Sequence, residues 1–470
     1  MKKSSILFAL TALLLTSCGG EEPSKASISS EQDSVVSEEF SVAFDDPEDT
    51  DPKYEFQFRA SLAEDEDGNA IDLSRKLSYM DSYFDAPSEQ FQKKLALVSF
   101  AFVVAAQTKA QTESFFDTIG FDNVWHSPDY DVPETPATVH YNLGHKAMDG
   151  YDVVALNMNA LAYGEPWASN CVAGESGNAM GYQISADIVM PDLLDYLKQY
   201  EGKPTKIWMA GYSRSGAIGN IIAETLLDEG TIEEKDLYFY AFESPAVIDA
   251  TAKKPHPSIH NVIDSGDLVT HVFPKAYGLV RAGHDIDIYD SHAKEILEAY
   301  DERLVLPKFQ PQFASFSNDA EFCNYVIRLL VAKTLTSPDS SNYVPDIHTR
   351  ADYVNSGVEA YLSYLVGLIM KLPSEGLTAM MDALTANGIS LTQEDKIYET
   401  ARDVLSNFDV EFDDEQLRTA CNGLLAFIKT NAAGLALIIA APSGRSNAMR
   451  SFYLHAPEGV LPMLLCYQPK

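Results

Sequence analysis

Positive charge is what this 470-residue chain has least of: 34 Lys and Arg stand against 69 Asp and Glu, a formal net charge of −35. Such a balance repels phosphate backbones and anionic headgroups, so no nucleic-acid role is expected. Cysteine is sparse too, five residues in all, and no Cys-x-x-Cys pair favours a metal site. The run His284-Asp-Ile-Asp-Ile-Tyr-Asp290 alternates with period two. That puts Asp285 and Asp287 on one face and Ile286 and Ile288 on the other, the pattern of a half-exposed strand, so neither metal nor cofactor is expected. Glu64-Asp-Glu-Asp-Gly-Asn69 lacks the spacing and closing glutamate of an EF-hand, and reads instead as the Asp-Gly turn of a hairpin between Tyr54–Leu62 and Ala70–Leu73. Long hydrophobic runs are also missing from the body of the chain. Ala432 to Ala441 with Leu424 to Ile428 is interrupted by Lys429, Thr430 and Asn431, short of the ~20 continuous apolar residues of a membrane span.

The N-terminus is different. Met1 to Cys18 has two lysines, an apolar run from Ile6 to Leu15 and the boundary Leu15-Thr-Ser-Cys18, the charged-apolar-small layout of a secretory signal. It resembles a bacterial lipoprotein signal with its lipobox. The resemblance implies that residues 1–17 are removed and that lipid on Cys18 anchors the mature chain to the membrane of a bacterial cell envelope. Losing Lys2 and Lys3 takes the formal charge from −35 to −37. Residues 18–51 are rich in Glu, Asp and Ser and read as a disordered tether. Glu21 and Glu22, just behind the cysteine, resemble a display signal, which favours the outer membrane or cell surface over the periplasmic face. Of the other cysteines, Cys171, Cys323, Cys421 and Cys466, both disulfide pairing and buried free thiols stay open.

The densest information lies in Lys206 to Leu227. Ile207 to Ala210 is a short apolar strand, Ala217 to Leu227 an apolar-faced helix, and Gly211-Tyr-Ser-Arg-Ser-Gly216 joins them abruptly. A turn this sharp is a nucleophile elbow, which holds a serine, here Ser213, in a strained conformation above the sheet at a helix N-terminus. Strand and helix pass so closely that the residues two before and two after must be small. Gly211 and Ser215 are, although Ser215 departs from the usual second glycine, and Gly216 and Gly219 keep the helix slim.

Around the elbow, Leu77 to Phe84 and Phe91 to Ala106 read as helices, Phe115 to Phe121 as a loop, and Thr138 to Leu143 and Tyr151 to Asn157 as strands. From Asp152-Val-Val-Ala-Leu-Asn-Met-Asn159 onward the chain resembles the fungal-type class 3 lipases and a branch of bacterial lipase-like proteins. The matching pieces continue through Trp167-Ala-Ser-Asn170, Gly181-Tyr182 before the helix Ile184 to Tyr200, the elbow, Tyr240-Ala-Phe-Glu-Ser-Pro245 and Asn261-Val-Ile-Asp-Ser-Gly-Asp-Leu-Val269. The strand-end motif departs from it: Asn157-Met158-Asn159 stands where Arg-Gly-Thr or similar is usual.

The resemblance implies an α/β fold, an α/β-hydrolase-like mostly parallel sheet with flanking helices, and an acyl transfer by a Ser-His-Asp triad. Ser213 is then the nucleophile and Asp267 the acid, with Asp264 a local competitor read as a solvated turn. For the base, His455 in His455-Ala-Pro-Glu458 is favoured, since a histidine, a proline and a glutamate precede an apolar run near the C-terminus of the bacterial branch. His348 is the alternative base, and His271, His284 and His292 trail. The oxyanion is expected at the backbone N–H of Arg214 and a second N–H around Met158 or Asn159; the Arg214 side chain reads equally as serving packing or substrate contact, or as a surface arginine capping the helix. Between Glu295 and Met449 the pattern turns helical, over 322–334, 353–371, 374–387, 394–407 and 415–441, a large cap insertion between acid and base. The expected organisation is thus a core over 52–294, a cap over 295–446 and a return to the core over 447–470. The function expected is a lipid-anchored, exported serine hydrolase (a lipase or carboxylesterase) acting on carboxylic esters, acyl lipids among them. The alternative is a catalytically inactive surface binding protein that keeps the fold.

Overall fold

A computed structural model describes residues 42, 44, 53–64, 70–159, 166–252, 254–311, 316–331, 348–373, 376, 379, 380, 383, 394–423, 425 and 442–469. The signal, Cys18, the Asp-Gly turn and the stretch Ala432 to Ala441 lie outside the described residues, as does most of the tether. Val42 and Phe44, at the tether's far end, pack against the core, Phe44 edge-on to Tyr300 at 5.5 Å.

Strands β1 (Lys53–Glu64) and β2 (Ala70–Ser78) form an antiparallel hairpin. Seven further strands make one sheet in which spatial order follows chain order: β3 (Asp122–His126), β4 (His140–Ala147), β5 (Asp152–Asn159), β6 (Thr205–Tyr212), β7 (Leu237–Phe242), β8 (Ile259–Ile263) and β9 (His284–Asp287). From β5 to β9 all pairings are parallel; β3 and β4 add an antiparallel edge.

Helices α1 (Lys93–Ala105) and α2 (Lys109–Ile119) precede this sheet, and α3 (Met180–Leu197) and α4 (Arg214–Asp228) cross over between its parallel strands. After β9 come α5 (Ala293–Tyr300), α6 (Asp319–Val331), α7 (Arg350–Asn355), α8 (Val358–Lys371), α9 (Glu394–Asn407), a helix over 414–423, α10 (Pro442–His455) and α11 (Pro457–Cys466). Among the described residues no helix is long and apolar enough to cross a membrane.

Both faces of the sheet are buried, which explains why its central strands are apolar at nearly every position. Period two then sorts the side chains. Ile207 and Met209 of β6 join Val189 and Leu193 of α3 and Ile218 and Ile222 of α4 in one core, while Trp208, Ala210 and Tyr212 join α1 and α11 in the other. Trp208 anchors the second core: it is fully buried, it stacks on Phe102 at 4.5 Å, and its indole N–H donates to Ser99 Oγ at 2.8 Å. Burying an aromatic of this size contributes about 2–3 kcal/mol. The beginning and the end of the domain therefore share one face, and that brings the C-terminal histidine to the sheet. The arrangement is an α/β-hydrolase-like fold.

Three local expectations are corrected. Phe115 to Phe121, read as a loop, lies mostly in α2: Thr108 caps it through Gln111 N, Gly120 ends it at φ 77°, and Thr112, Phe115, Phe116 and Ile119 form its buried stripe. Leu77 to Phe84, read as a helix, instead finishes β2, with Leu77 paired to Tyr54, and continues as a short 3-10 turn at Asp81–Asp85. The ladder to β1 outweighs local helix preference here. The helix expected over 353–371 is broken in two by Gly357, whose φ of 77° ends one segment and begins the next.

Candidate active site

The elbow is built at the C-terminal end of β6. Ser213 has φ 53° and ψ −121°, a region costing roughly 1–3 kcal/mol for a residue with a side chain, and its N–H is held by Phe242 O at 2.7 Å. Gly211 is required: a Cβ there would stand 2.5 Å from Ser215 O. Likewise Gly219 leaves room for the Phe239 ring, 2.5 Å from its would-be Cβ, and Gly216 for the Ser244 side chain at 3.0 Å. Ser215 fills its position usefully. Its buried Oγ accepts from Tyr212 N at 2.8 Å and faces the carbonyls of Met158 and Tyr212 at 2.8 and 2.9 Å, tying the elbow to the end of β5.

His455 is the last residue of α10. Ala456 is extended, Pro457 starts α11, and Gly459 lets the two helices meet, since a Cβ there would lie 2.0 Å from Tyr453 O. The Tyr212 hydroxyl donates to His455 O and fixes this corner against β6. The imidazole is then placed with Nε2 3.1 Å from Ser213 Oγ and Nδ1 2.7 Å from Asp267 Oδ2. Asp267 is fully buried, and its Oδ1 accepts Val269 N at 2.8 Å. A carboxylate beside Nδ1 selects the tautomer with the proton there, leaving Nε2 to accept from the serine hydroxyl.

The other histidines stand elsewhere. His348 is exposed ahead of α7, its N–H donating to Asp352 Oδ2 at 3.1 Å. His271 Nε2 faces Ser265 O at 2.9 Å, His284 faces His260 at 3.0 Å, and His292 sits beside Asp290 at 3.0 Å.

Arg214, first residue of α4, has an N–H that no intrahelical carbonyl can reach. Its side chain serves packing and does not lie at the surface. It is buried over the Tyr182 ring and donates to Asn170 Oδ1 at 2.8 Å, Gly181 O at 2.9 Å and Ser185 Oγ at 2.7 Å. Desolvation there lowers its pKa to about 10. Met158 lies within the sheet, between Tyr141 and Gly211 in register, and Asn159 is the last residue of β5. The chain that follows, 160–165, is outside the described residues.

Sequence reasoning missed the polar surroundings of Asp267. Asp264, expected as a solvated turn, is fully buried, with Oδ1 accepting Gly266 N at 2.7 Å. Glu243 is buried too, and so is Asp319, bridged by Arg450 at 2.9 Å. The only hint was a glutamate directly behind the all-apolar strand Leu237–Phe242. Among the described residues no group of three or more His, Cys, Asp or Glu is arranged to hold a metal ion, and Cys171, Cys323, Cys421 and Cys466 are free thiols.

Further along the chain, the helical segment grips the core beside the elbow. The Arg350 guanidinium donates to the carbonyls of Gly174 and Gly177 at 2.6 Å each, Glu359 accepts the N–H groups of Ala173 and Gly174 at 3.0 and 3.1 Å, and Ser363 reaches Ala168 O at 2.9 Å.

Residues 154–277 match the family model of the class 3 lipases. The match runs from β5 through the elbow to beyond Asp267 and stops far short of His455, so the similarity to the class 3 lipases covers the core of the sheet. Among solved structures, a lipase from Rhizopus microsporus var. chinensis is similar at 16% identity, covering 44% of this chain and 75% of that one, with a TM-score of 0.31. A Rhizomucor miehei triacylglyceride lipase is similar at 16% identity, covering 45% and 82%, with a TM-score of 0.30. A comparison with curated proteins found no significant match.

Proposed function

We propose that this protein is a serine ester hydrolase of lipase or carboxylesterase type, and the observation that carries the reading is the continuous Ser213–His455–Asp267 hydrogen-bond chain at a strained strand-to-helix corner. The match of residues 154–277 to the class 3 lipases supports an ester as substrate, with acyl lipids the class it suggests. In this reading His455 Nε2 takes the Ser213 proton as Oγ attacks the ester carbonyl. Asp267 stabilises the imidazolium, and the same proton then goes to the departing alkoxide. Water, deprotonated by His455 in turn, releases the acid from the acyl-enzyme. The Arg214 N–H receives the oxyanion, and a second donor is assigned to the end of β5, at Met158 or Asn159. Each such donor is worth about 3 kcal/mol in the transition state.

The same proposal takes 52–294 as the catalytic core, 295–446 as a cap that shapes the substrate pocket and 447–470 as the return that delivers His455. It also takes Cys18 as the lipidated anchor of an envelope protein facing outward. A fluorophosphonate probe tests both parts. Wild type is expected to take the label and hydrolyse p-nitrophenyl esters, and Ser213→Ala to do neither. Labelled protein from cells should partition into detergent, and Cys18→Ser into the aqueous phase. Absence of labelling in folded wild type would sink the hydrolase reading.

A further inference from the structure

Four carboxyl side chains, Glu243, Asp264, Asp267 and Asp319, are fully buried in one cluster behind the site. Among the described residues two groups of basic character bind these carboxyls: Arg450, bound to Asp319 together with the Tyr289 hydroxyl at 2.9 Å, and His455, bound to Asp267, while Arg281, on Ser244 O and Thr270 O, and His271, on Ser265 O, flank the same loop. Cys323, whose thiol donates to Gly266 O at 3.2 Å, brings no charge, and Asp287, at the edge, accepts Ser265 N at 3.1 Å. Like charges this close repel one another and burial penalises each anion, so the set favours keeping a proton on one or more of its carboxyls.

The geometry of Glu243 says how one of them is kept neutral. It follows β7 directly, at φ 47°, with its N–H on Val262 O at 2.9 Å. That turn sends the side chain inward, where both oxygens take the Asp264 N–H, at 3.1 and 2.9 Å. Its other close neighbour is the Asp267 carboxyl, buried beside it. Two carboxyl groups bond only if one carries the proton. Burial, followed by the nearby Asp267 and Asp264, pushes the Glu243 pKa far up, and of the two carboxyls it is Asp267 that has the imidazole as its partner.

We propose that Glu243 is a positioning residue of the site, a carboxylic acid that donates a hydrogen bond to the Asp267 carboxylate and holds it against His455. The inference rests on the hydrolase reading above and deepens it. With Glu243 neutral, the imidazole faces one formal negative charge through Asp267, and that charge is shared among three donors: His455, Val269 N–H and the Glu243 hydroxyl.

Glu243→Gln keeps a donor for Asp267 and an acceptor for Asp264 N–H; Glu243→Met keeps only the bulk. The rate of p-nitrophenyl ester hydrolysis is followed against pH for both, together with the downfield imidazole N–H resonance of the His455–Asp267 bond. Gln is expected to hold kcat within roughly threefold and to leave the acidic limb of kcat/KM where it was. Met is expected to lose ~10- to 100-fold in kcat at unchanged KM, with the acidic limb moved to higher pH because Asp267 has lost a donor. A Gln variant whose acidic limb drops by about one pH unit or more would mean that an anion had been removed, and would overturn the proposal. So would a folded Met variant with the wild-type profile. Should Met fail to fold, the resonance in Gln decides: unchanged supports the assignment, lost or shifted overturns it. Wild type that neither hydrolyses esters nor takes a fluorophosphonate would defeat the hydrolase reading instead, and the resonance comparison would still test Glu243.

Discussion

Asp267 has two oxygens with two different neighbours, and that asymmetry makes its chemistry testable at a single atom. Val269 N–H demands an acceptor at Oδ1, so in Asp267→Asn the amide oxygen is drawn to that side and the NH2 falls against His455 Nδ1. The imidazole must then accept at Nδ1 and carry its proton on Nε2, where it cannot take one from Ser213. The expected result is a loss of about 10⁴ in kcat near neutral pH with little change in thermal unfolding, measured by ester hydrolysis and calorimetry. A variant that loses less than tenfold would show that the tautomer is not what Asp267 sets. Of the three side chains that meet here, the serine stood in a readable local pattern, a tight apolar corner, while the aspartate behind an apolar strand and the histidine before Pro-Glu were singled out through the resemblance to lipase-like sequences. Glu243 and Asp264 were not, because nothing in a sequence marks a carboxyl as buried. Acidic residues at strand ends are usually solvated, and the expectation for Asp264 failed on that average.

Among the elements, the strand-to-helix corner departs from the usual small-residue pattern of a nucleophile elbow, and the structure supplies the reason. Ser215 occupies the place of a glycine because its hydroxyl joins Tyr212 N to Met158 O, pinning α4 to the ends of two strands at once. Converting it to that glycine, Ser215→Gly, removes two buried hydrogen bonds and adds backbone freedom. Unfolding in urea is expected to show a loss of about 2 kcal/mol, while the fraction labelled by fluorophosphonate stays near wild type. Full loss of labelling at unchanged stability would assign Ser215 to the chemistry. Periodicity served well for long elements such as β5 and α4, whose burial is uniform along one face. It failed at α2, where the stripe Thr112, Phe115, Phe116 and Ile119 begins with a polar residue, and at Gly357, which ends a helix inside a continuous apolar pattern.

For the whole molecule, the sheet's two cores are closed differently, one by crossover helices local to the strands they join, the other by α1 and α11 from opposite ends of the domain. No local pattern could show the second closure, which depends on contacts across most of the chain. The carboxyl cluster is likewise closed by residues distant in the chain, Asp319 and Cys323 of α6 and Arg450 of α10, and its burial leaves a mark on stability. Asp264 has its pKa raised well above the ordinary 3.8, by burial first, opposed by Gly266 N–H and assisted by the charge of Asp267. Its Oδ2 has no hydrogen-bond partner among the described residues. Above that ordinary value the unfolded chain releases this proton and the native state keeps it, so the native state binds more protons and stability falls as pH rises. An asparagine matches the protonated acid in shape and in its unpartnered donor, but has no proton to hold. Asp264→Asn should therefore unfold with nearly the wild-type free energy at about pH 4 and gain on it by roughly 1.4 kcal/mol per pH unit above, until the native aspartate itself ionises. Urea titrations at pH 5, 6, 7 and 8 would read that slope, about, as a widening gap. A gap that stays constant across the series would mean that Asp264 is ionised in the fold, and that the cluster carries its charges rather than suppressing them.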